Sequence, residues 1–325
     1  MLKNSRIFVA GHRGLVGSAI QRSLERRGFG NLLLRTHAEL DLADTQATAQ
    51  FFREERPEYV FLAAAKVGGI FANESYPADF IRENLAIQSN VIEAAYQTGA
   101  KRLLFLGSSC IYPKLCPQPM KEEYLLTGPL ESTNRPYALA KIAGIEMCWA
   151  YNRQFGTQFL SVMPSNLYGP GDDYDPKTSH LLAALMRKVV EAKRTGSGRI
   201  EVWGSGTPRR ELLYSDDMAD ACVFLMQLDE PVFQSLLAKD FPPLINVGTN
   251  EDLTVRELAA LVCEVLGYDC ELVFDPTKPD GTPRKLLDSS RINRLGWTSK
   301  VPLREGIRLT YELAFPALTG AIANP

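Results

Sequence analysis

Short apolar runs alternate with amphipathic stretches along the first half of the chain. Arg6-Ile7-Phe8-Val9-Ala10 reads as a buried strand and Gly11 to Gly17 as a glycine-rich turn. Ser18 to Arg27 has helical spacing through Ile20 and Leu24 and stops at Gly28. Asn31 to Arg35 predicts a second strand, Thr45 to Arg56 a helix ending before Pro57, and Tyr59 to Ala63 a third strand. A long helix over Ala78 to Gly99 and a strand over Arg102 to Leu106 follow. Strands that are apolar throughout, rather than alternating, belong to a parallel sheet covered on both faces. The expected fold class is therefore α/β, a doubly wound parallel sheet of the Rossmann type.

After Tyr137 a further helix runs to about Gly156, and Phe159 to Met163 makes another strand. Beyond Pro164 the texture changes. Proline, glycine and aspartate cluster at Gly169-Pro170-Gly171-Asp172-Asp173, and turn-rich segments separate the helices. Leu244 to Gly248 reads as a strand returning to the parent sheet. These shifts predict a cofactor domain over 1–164, with 214–250 partly returning to it. A smaller interleaved α+β substrate-binding lobe is expected over 165–213 and 251–325.

Composition narrows the partners. Of 325 residues 45% are apolar and 23% charged, enough for a large core, and the net charge of -2 argues against nucleic-acid binding driven by bulk charge. The longest apolar stretch, Tyr59 to Ala72, contains Lys66 and is too short to span a bilayer. Met1 to Asn4 leads straight into a strand, so a signal peptide is not expected and a cytoplasmic protein is. Six scattered cysteines without a CxxC pair, and only three histidines, predict reduced thiols and no metal site.

Gly11-His12-Arg13-Gly14-Leu15-Val16-Gly17 lies between the first strand and the first helix. Glycines there let the backbone approach a pyrophosphate seated at the helix N-terminus. The spacing is GxxGxxG, not GxGxxG, and its place in the first βαβ unit makes it a dinucleotide site. An NAD site would carry an acid at the end of the second strand, to bind the ribose diol. Here that strand ends Arg35-Thr36-His37, and no acid follows until Glu39. Arg35 backed by Arg13 suits a 2′-phosphate, so NADP(H) is expected over NAD(H), with Asp41-Leu42 at the adenine edge.

Tyr137 and Lys141 stand four residues apart, on one helix face. A neighbouring cation favours the phenolate, which would make Tyr137 a usable acid–base group. Leu106-Gly107-Ser108-Ser109-Cys110 ends the fourth strand, where parallel sheets bind ligands, and Ser108 is placed to hydrogen-bond a substrate carbonyl.

Together these features resemble the extended short-chain dehydrogenase/reductase family. The resemblance is closest to its GDP-L-fucose synthase branch, and it extends from Arg6 to about Tyr311. It is carried by Gly11-His12-Arg13-Gly14, Ala63 to Ile70, Gly107 to Pro113 and Lys278 to Lys285. The branch implies a 3,5-epimerase and 4-reductase that acts on GDP-4-keto-6-deoxy-D-mannose and uses NADPH. By resemblance Ser108, Tyr137 and Lys141 form the reductase triad, and Cys110 and His180 the epimerase pair. The chemistry is coherent. A 4-keto group acidifies the protons on C3 and C5, so one group must remove a proton and another return it to the opposite face. The resemblance also carries Pro164, Ser165, Asn166, Leu167 and His180 to the nicotinamide end, and Asn166, Lys188, Trp203, Arg210 and Asp280 to the nucleotide sugar. A homodimer is implied through the helix bearing Tyr137 and the one before the fourth strand.

Two positions depart from the family pattern. Lys188 replaces a typical arginine, exchanging a bidentate guanidinium for a point charge. His37 stands where relatives often carry arginine, which would make selection of the 2′-phosphate pH-dependent. The alternative function is an NAD-dependent nucleotide-sugar epimerase without net reduction. A catalytically silent dinucleotide sensor is disfavoured, because Tyr137 and Lys141 are both present.

Overall fold

A computed structural model describes residues 1–316 except 177, 238, 239 and 279, with backbone alone at 70. Pro279 of the Lys278–Lys285 segment and the end of the 251–325 span therefore lie outside the described residues. The first part contains β1 (Ile7–Ala10), α1 (Leu15–Arg26), β2 (Leu32–Leu33), α2 (Thr45–Glu55), β3 (Tyr59–Leu62), α3 (Ile70–Ser75), α4 (Pro77–Gln97), β4 (Arg102–Leu106), α5 (Arg135–Phe155) and β5 (Phe159–Pro164). Then come β6 (Asn166–Tyr168), α6 (Leu181–Thr195), β7 (Arg199–Trp203), β8 (Arg209–Tyr214), α7 (Ser215–Gln227), α8 (Glu230–Leu236) and β9 (Leu244–Val247). The remainder is β10 (Asp252–Thr254), α9 (Val255–Val265), β11 (Glu271–Asp275), β12 (Arg284–Lys285), α10 (Ser290–Arg294) and α11 (Leu303–Ala314).

Six strands pair in the order β2-β1-β3-β4-β5-β9, every pair parallel, as the unbroken apolar runs predict. Both faces are covered. Phe8, Val60, Leu103 and Phe159 pack with Phe52, Val91, Ile92 and Ile145 of α2, α4 and α5. Ile7, Val9, Leu104 and Leu160 pack with Ile20 of α1 and Met218 and Cys222 of α7. Asp216 pairs with Arg22 at 2.6 Å, locking α7 onto α1, and Asp217 caps the backbone of Lys300 and Val301.

The edge strand β2 is shorter than its apolar run. Only Leu32 and Leu33 pair with β1, because the chain turns away at Thr36, whose N–H and hydroxyl donate to the Glu39 carboxylate at 2.8 Å each. The region before α4 carries a helix that the sequence did not signal. Gly69 opens α3, and α4 starts separately at Pro77, which fits the first helical turn.

The second lobe is built on β8, which pairs with β6, β10 and β12, while β7 and β11 form a parallel pair. Its core joins Leu185, Met186 and Val189 of α6, Leu258 and Val262 of α9 and Ile307 of α11. Ile292 of α10 and Trp297 return to the parent core, inside the span expected to belong to the second lobe. The Cys263 and Cys270 thiols meet at 3.6 Å, and all six cysteines are free.

Glu211 ties the lobes together. It is fully buried on β8, and its carboxylate accepts from the N–H groups of Thr249 (2.7 Å), Asn250 (2.8 Å) and Leu287 (2.8 Å). Glu211→Ala would take the acceptor from three backbone donors at once, the buried Leu287 N–H among them. We expect a loss of about 3–5 kcal/mol in urea unfolding, against under 1 kcal/mol for exposed Glu201→Ala.

Candidate active site

The carboxyl ends of β1, β3, β4 and β5 open towards the second lobe. At β1 the turn requires glycine. Gly11 has φ +83°, and a Cβ on it would lie 2.7 Å from the Ala64 nitrogen; one on Gly17 would lie 2.0 Å from the Gly11 carbonyl oxygen. Gly14 caps α1 without a side-chain partner, and Leu15 and Val16 form its half-buried first turn, so the helix N–H groups face the cleft. The His12 Nδ1 and the buried Ser165 Oγ have no hydrogen-bond partner. A turn with no room for a Cβ at Gly11 or Gly17, where backbone can approach a pyrophosphate, fits a dinucleotide.

The two arginines expected at the ribose end differ. Arg35 is engaged, donating to Glu55 at 2.6 Å and to the Leu34 carbonyl at 2.9 Å. Arg13 is exposed and forms no ion pair among the described residues. His37 is largely exposed and 3.7 Å from the Asp41 carboxylate. Leu42 turns into the core instead of outward.

After β4, Leu106 and Gly107 lead into a tight turn in which the Cys110 N–H donates to the Ser108 Oγ at 3.4 Å. Ser109 and Cys110 are buried. The turn is pinned from below. The Tyr112 hydroxyl donates to the Asn246 Oδ1 at 2.6 Å, and Asn246 Nδ2 donates to the Met120 carbonyl at 2.9 Å.

Helix α5 brings Tyr137 and Lys141 to the same place. Glu131 accepts the N–H groups of Thr133 and Asn134 ahead of the helix, and Pro136 fits its first turn. Gly144 permits close packing, since a Cβ there would lie 2.5 Å from the Phe105 ring. Phe80 meets the Tyr137 ring edge-on at 6.2 Å. The Ser108 hydroxyl favours ionisation of both the Cys110 thiol and the Tyr137 phenol, against the burial that raises their pKa values. Lys141 lies 5.8 Å from the Tyr137 ring centroid and donates to the Leu106 carbonyl at 2.8 Å; burial lowers its pKa to about 8. Burial and the Cys110 charge raise the Tyr137 pKa, and only Ser108 opposes them. The four-residue spacing predicted Lys141 at the phenol; its ammonium is instead hydrogen-bonded to the Leu106 carbonyl. The ammonium sits against the backbone of β4 and not at the phenolic oxygen.

Pro164 ends β5 beside Val247, and the Ser165 N–H donates to the Val247 carbonyl at 3.1 Å. Asn166 Nδ2 donates to the Glu211 carbonyl at 2.8 Å, and Leu167 packs on the parent core. His180 is the N-cap residue of α6, with no side-chain cap bond. Desolvation lowers its pKa, Asp173 opposes that and Lys285 adds to it.

On the second lobe Trp203 is 54% exposed at the end of β7, between Lys278 (5.5 Å from the ring centroid) and Lys188 (5.9 Å). Lys188 also donates to the Glu201 carbonyl at 2.8 Å. Arg210 donates to the Asp280 carbonyl at 3.1 Å and forms no carboxylate pair among the described residues. The Asp280 carboxylate accepts from the Ser205 N–H and hydroxyl at 2.8 Å each, closing the loop after Trp203. Among the described residues no cluster of His, Cys, Asp and Glu is arranged to hold a metal.

Residues 7–235 match the model of the NAD dependent epimerase/dehydratase family, more than half of the chain. The chain belongs to this family. GDP-L-fucose synthase 1 of Arabidopsis thaliana is 56% identical over 310 residues, 95% of this chain and 93% of that protein. GDP-L-fucose synthase of Escherichia coli (strain K12) is 54% identical over 313 residues, 96% of this chain and 97% of that protein. Among solved structures, the GDP-mannoheptose C4 reductase of Campylobacter jejuni with NADP bound superposes with a TM-score of 0.87. It is 42% identical and covers 97% of this chain and 99% of its own.

In this epimerase/dehydratase chain Ser108, Cys110, Tyr137 and Lys141 act on one another beyond the end of β4, while Trp203 and Lys188 meet on the second lobe. Reading the residues in order left Lys285 without a role. It lines a small cavity with Cys110, Glu131 and Thr282. No local spacing connects it to Cys110; the pairing of β12 with β8 and the bridge from Met120 to Leu287 bring it there.

Proposed function

We propose that this protein converts GDP-4-keto-6-deoxy-D-mannose to GDP-L-fucose, by epimerisation at C3 and C5 and NADPH-dependent reduction at C4. What supports this reading most is one serine hydroxyl that favours ionisation of both a thiol and a phenol, in a chain 54–56% identical to GDP-L-fucose synthases over nearly its whole length.

The proposed roles follow from chemistry. Ser108 holds the C4 carbonyl oxygen, which withdraws electrons and acidifies the protons on both neighbouring carbons. Cys110, two residues away, removes them as thiolate, and His180 returns a proton from the opposite face. Tyr137 then protonates the C4 oxygen as reduction proceeds. NADPH, when bound, supplies the hydride for C4. The Gly11–Gly17 turn with His12, Arg13, Ser165 and Asn166 would hold it, with Lys141 serving its nicotinamide end. Trp203 stacks on the guanine, and Arg210, Lys188 and Lys278 offer cations to the diphosphate.

Arg13 is the free cation at the proposed 2′-phosphate. Arg13→Ala should lower the ratio of kcat/KM for NADPH over NADH about tenfold, the effect of one lost charge-assisted contact. An unchanged ratio in steady-state assays with both cofactors would reassign the phosphate to Arg35.

The apolar Leu139 and Phe155 are exposed on α5, and with α4 they offer a face for the proposed homodimer. A cytoplasmic location accords with six free thiols. No helix among the described residues is long and apolar enough to cross a membrane.

Incubation with GDP-4-keto-6-deoxy-D-mannose and NADPH tests the function. GDP-L-fucose with one NADPH oxidised per product is expected. An epimerised keto sugar with no NADPH consumed would instead support the cofactor-retaining epimerase. A C4-reduced sugar with C3 and C5 unchanged would mean a simple reductase.

A further inference from the structure

Burial favours the neutral thiol, whereas removing a proton from carbon requires thiolate. Cys110 is only 7% exposed. Desolvation raises its pKa; Lys285 on β12 opposes this most, then the Ser108 hydroxyl, then Lys141 on α5. Tyr137 faces it as well.

The two lysines are not equivalent. Lys141 Nζ is committed to the Leu106 carbonyl. Lys285 is partly buried, its ammonium is disfavoured by desolvation, and among the described residues its side chain has no hydrogen bond or ion pair. Arg210, opposite it on β8, adds like charge. The one carboxylate acting on it, Glu131, is already taken by Thr133, Asn134 and Lys114. A half-desolvated cation with no partner is costly, and such groups gather at functional sites.

Its backbone is held firmly. The next two N–H groups, of Leu286 and Leu287, donate to Gln118 Oε1 at 3.0 Å and Glu211 Oε2 at 2.8 Å. Lys285 and Cys110 line one small cavity with Ser109, Asn134 and Thr282.

We propose that Lys285 is a positioning residue for the epimerisation step, its ammonium holding the Cys110 thiolate separately from Tyr137, which serves the C4 oxygen. This rests on the role given to Cys110 above. The chemistry calls for it, because reduction needs a proton donor at oxygen while epimerisation needs a persistent anion at sulfur. One lysine shared between both would couple two steps with opposite demands.

The test measures the rate of Cys110 alkylation by iodoacetamide against pH, read on the Cys110 peptide by mass spectrometry. The full-length protein is saturated with NADP⁺. Lys285→Met should move the midpoint up by about one pH unit and slow alkylation about tenfold at pH 7.5. Deuterium wash-in at C3 and C5 should fall to the same extent at pH 7.5 and recover towards pH 10. Lys285→Arg should restore both. NADPH affinity and the melting temperature should stay unchanged, and Lys285→Gln replaces the methionine variant if that one does not fold. An unmoved alkylation midpoint overturns the proposal, as does wash-in lost equally at every pH. The alkylation profile needs no sugar, so it judges Lys285 even if the product proves not to be GDP-L-fucose.

Discussion

Tyr137→Phe is expected to lower NADPH-dependent reduction about 10²- to 10⁴-fold, while deuterium exchange at C3 and C5 continues. The substitution removes one oxygen. It leaves the Phe80 edge contact and the α5 backbone as they are, so the loss belongs to the proton and not to packing. Burial raises the Tyr137 pKa, so the phenol is held protonated at neutral pH and is fit to donate to a developing alkoxide. The expected range corresponds to about 3–5 kcal/mol of transition-state stabilisation. The measurement is NADPH oxidation at 340 nm beside proton NMR of the sugar in deuterium oxide. If exchange stops together with reduction, Tyr137 acts in both steps and the division of labour between phenol and thiol fails.

Cys110→Ala is expected to have the opposite profile. Wash-in at C3 and C5 should fall at least 10³-fold, and GDP-L-fucose should no longer form. NADPH should still be consumed slowly, giving a C4-reduced sugar with C3 and C5 uninverted. Removing one sulfur from a small buried site costs little stability beside this, since alanine keeps the turn backbone and its N–H bond to Ser108. Cys110→Ser separates acidity from shape: a hydroxyl retains the volume, but it ionises far less readily, so wash-in should remain lost. Normal wash-in in Cys110→Ala would place the base elsewhere.

Much of this site was legible along the chain because its parts are local. Gly11 to Gly17 must form a turn that brings backbone to a pyrophosphate, since no Cβ fits at Gly11 or Gly17. Tyr137 and Lys141 share a helix face by period alone, and Ser108 to Cys110 must follow the fourth strand. What the residue order misjudged were partners. Arg35 was expected free for a phosphate and is held by Glu55 from the next helix. Lys141 was expected at the phenol and is held by a carbonyl of β4. Asp280 was expected open to a ligand and is bonded by Ser205. In each case the competing group comes from another element.

The hydrophobic pattern by itself determined the parallel sheet, the position of the cofactor turn and the end of the sheet where chemistry sits. It could do so because strand and helix periods and glycine sterics act over a few residues. The charges that tune the site came only from the packed fold. Lys285 reaches Cys110 because β12 pairs with β8 and Leu287 bridges to Met120, and Glu211 clamps that pairing by binding backbone from two distant segments. Electrostatics depends on distance through space and on lost water, and neither is encoded in spacing along the chain.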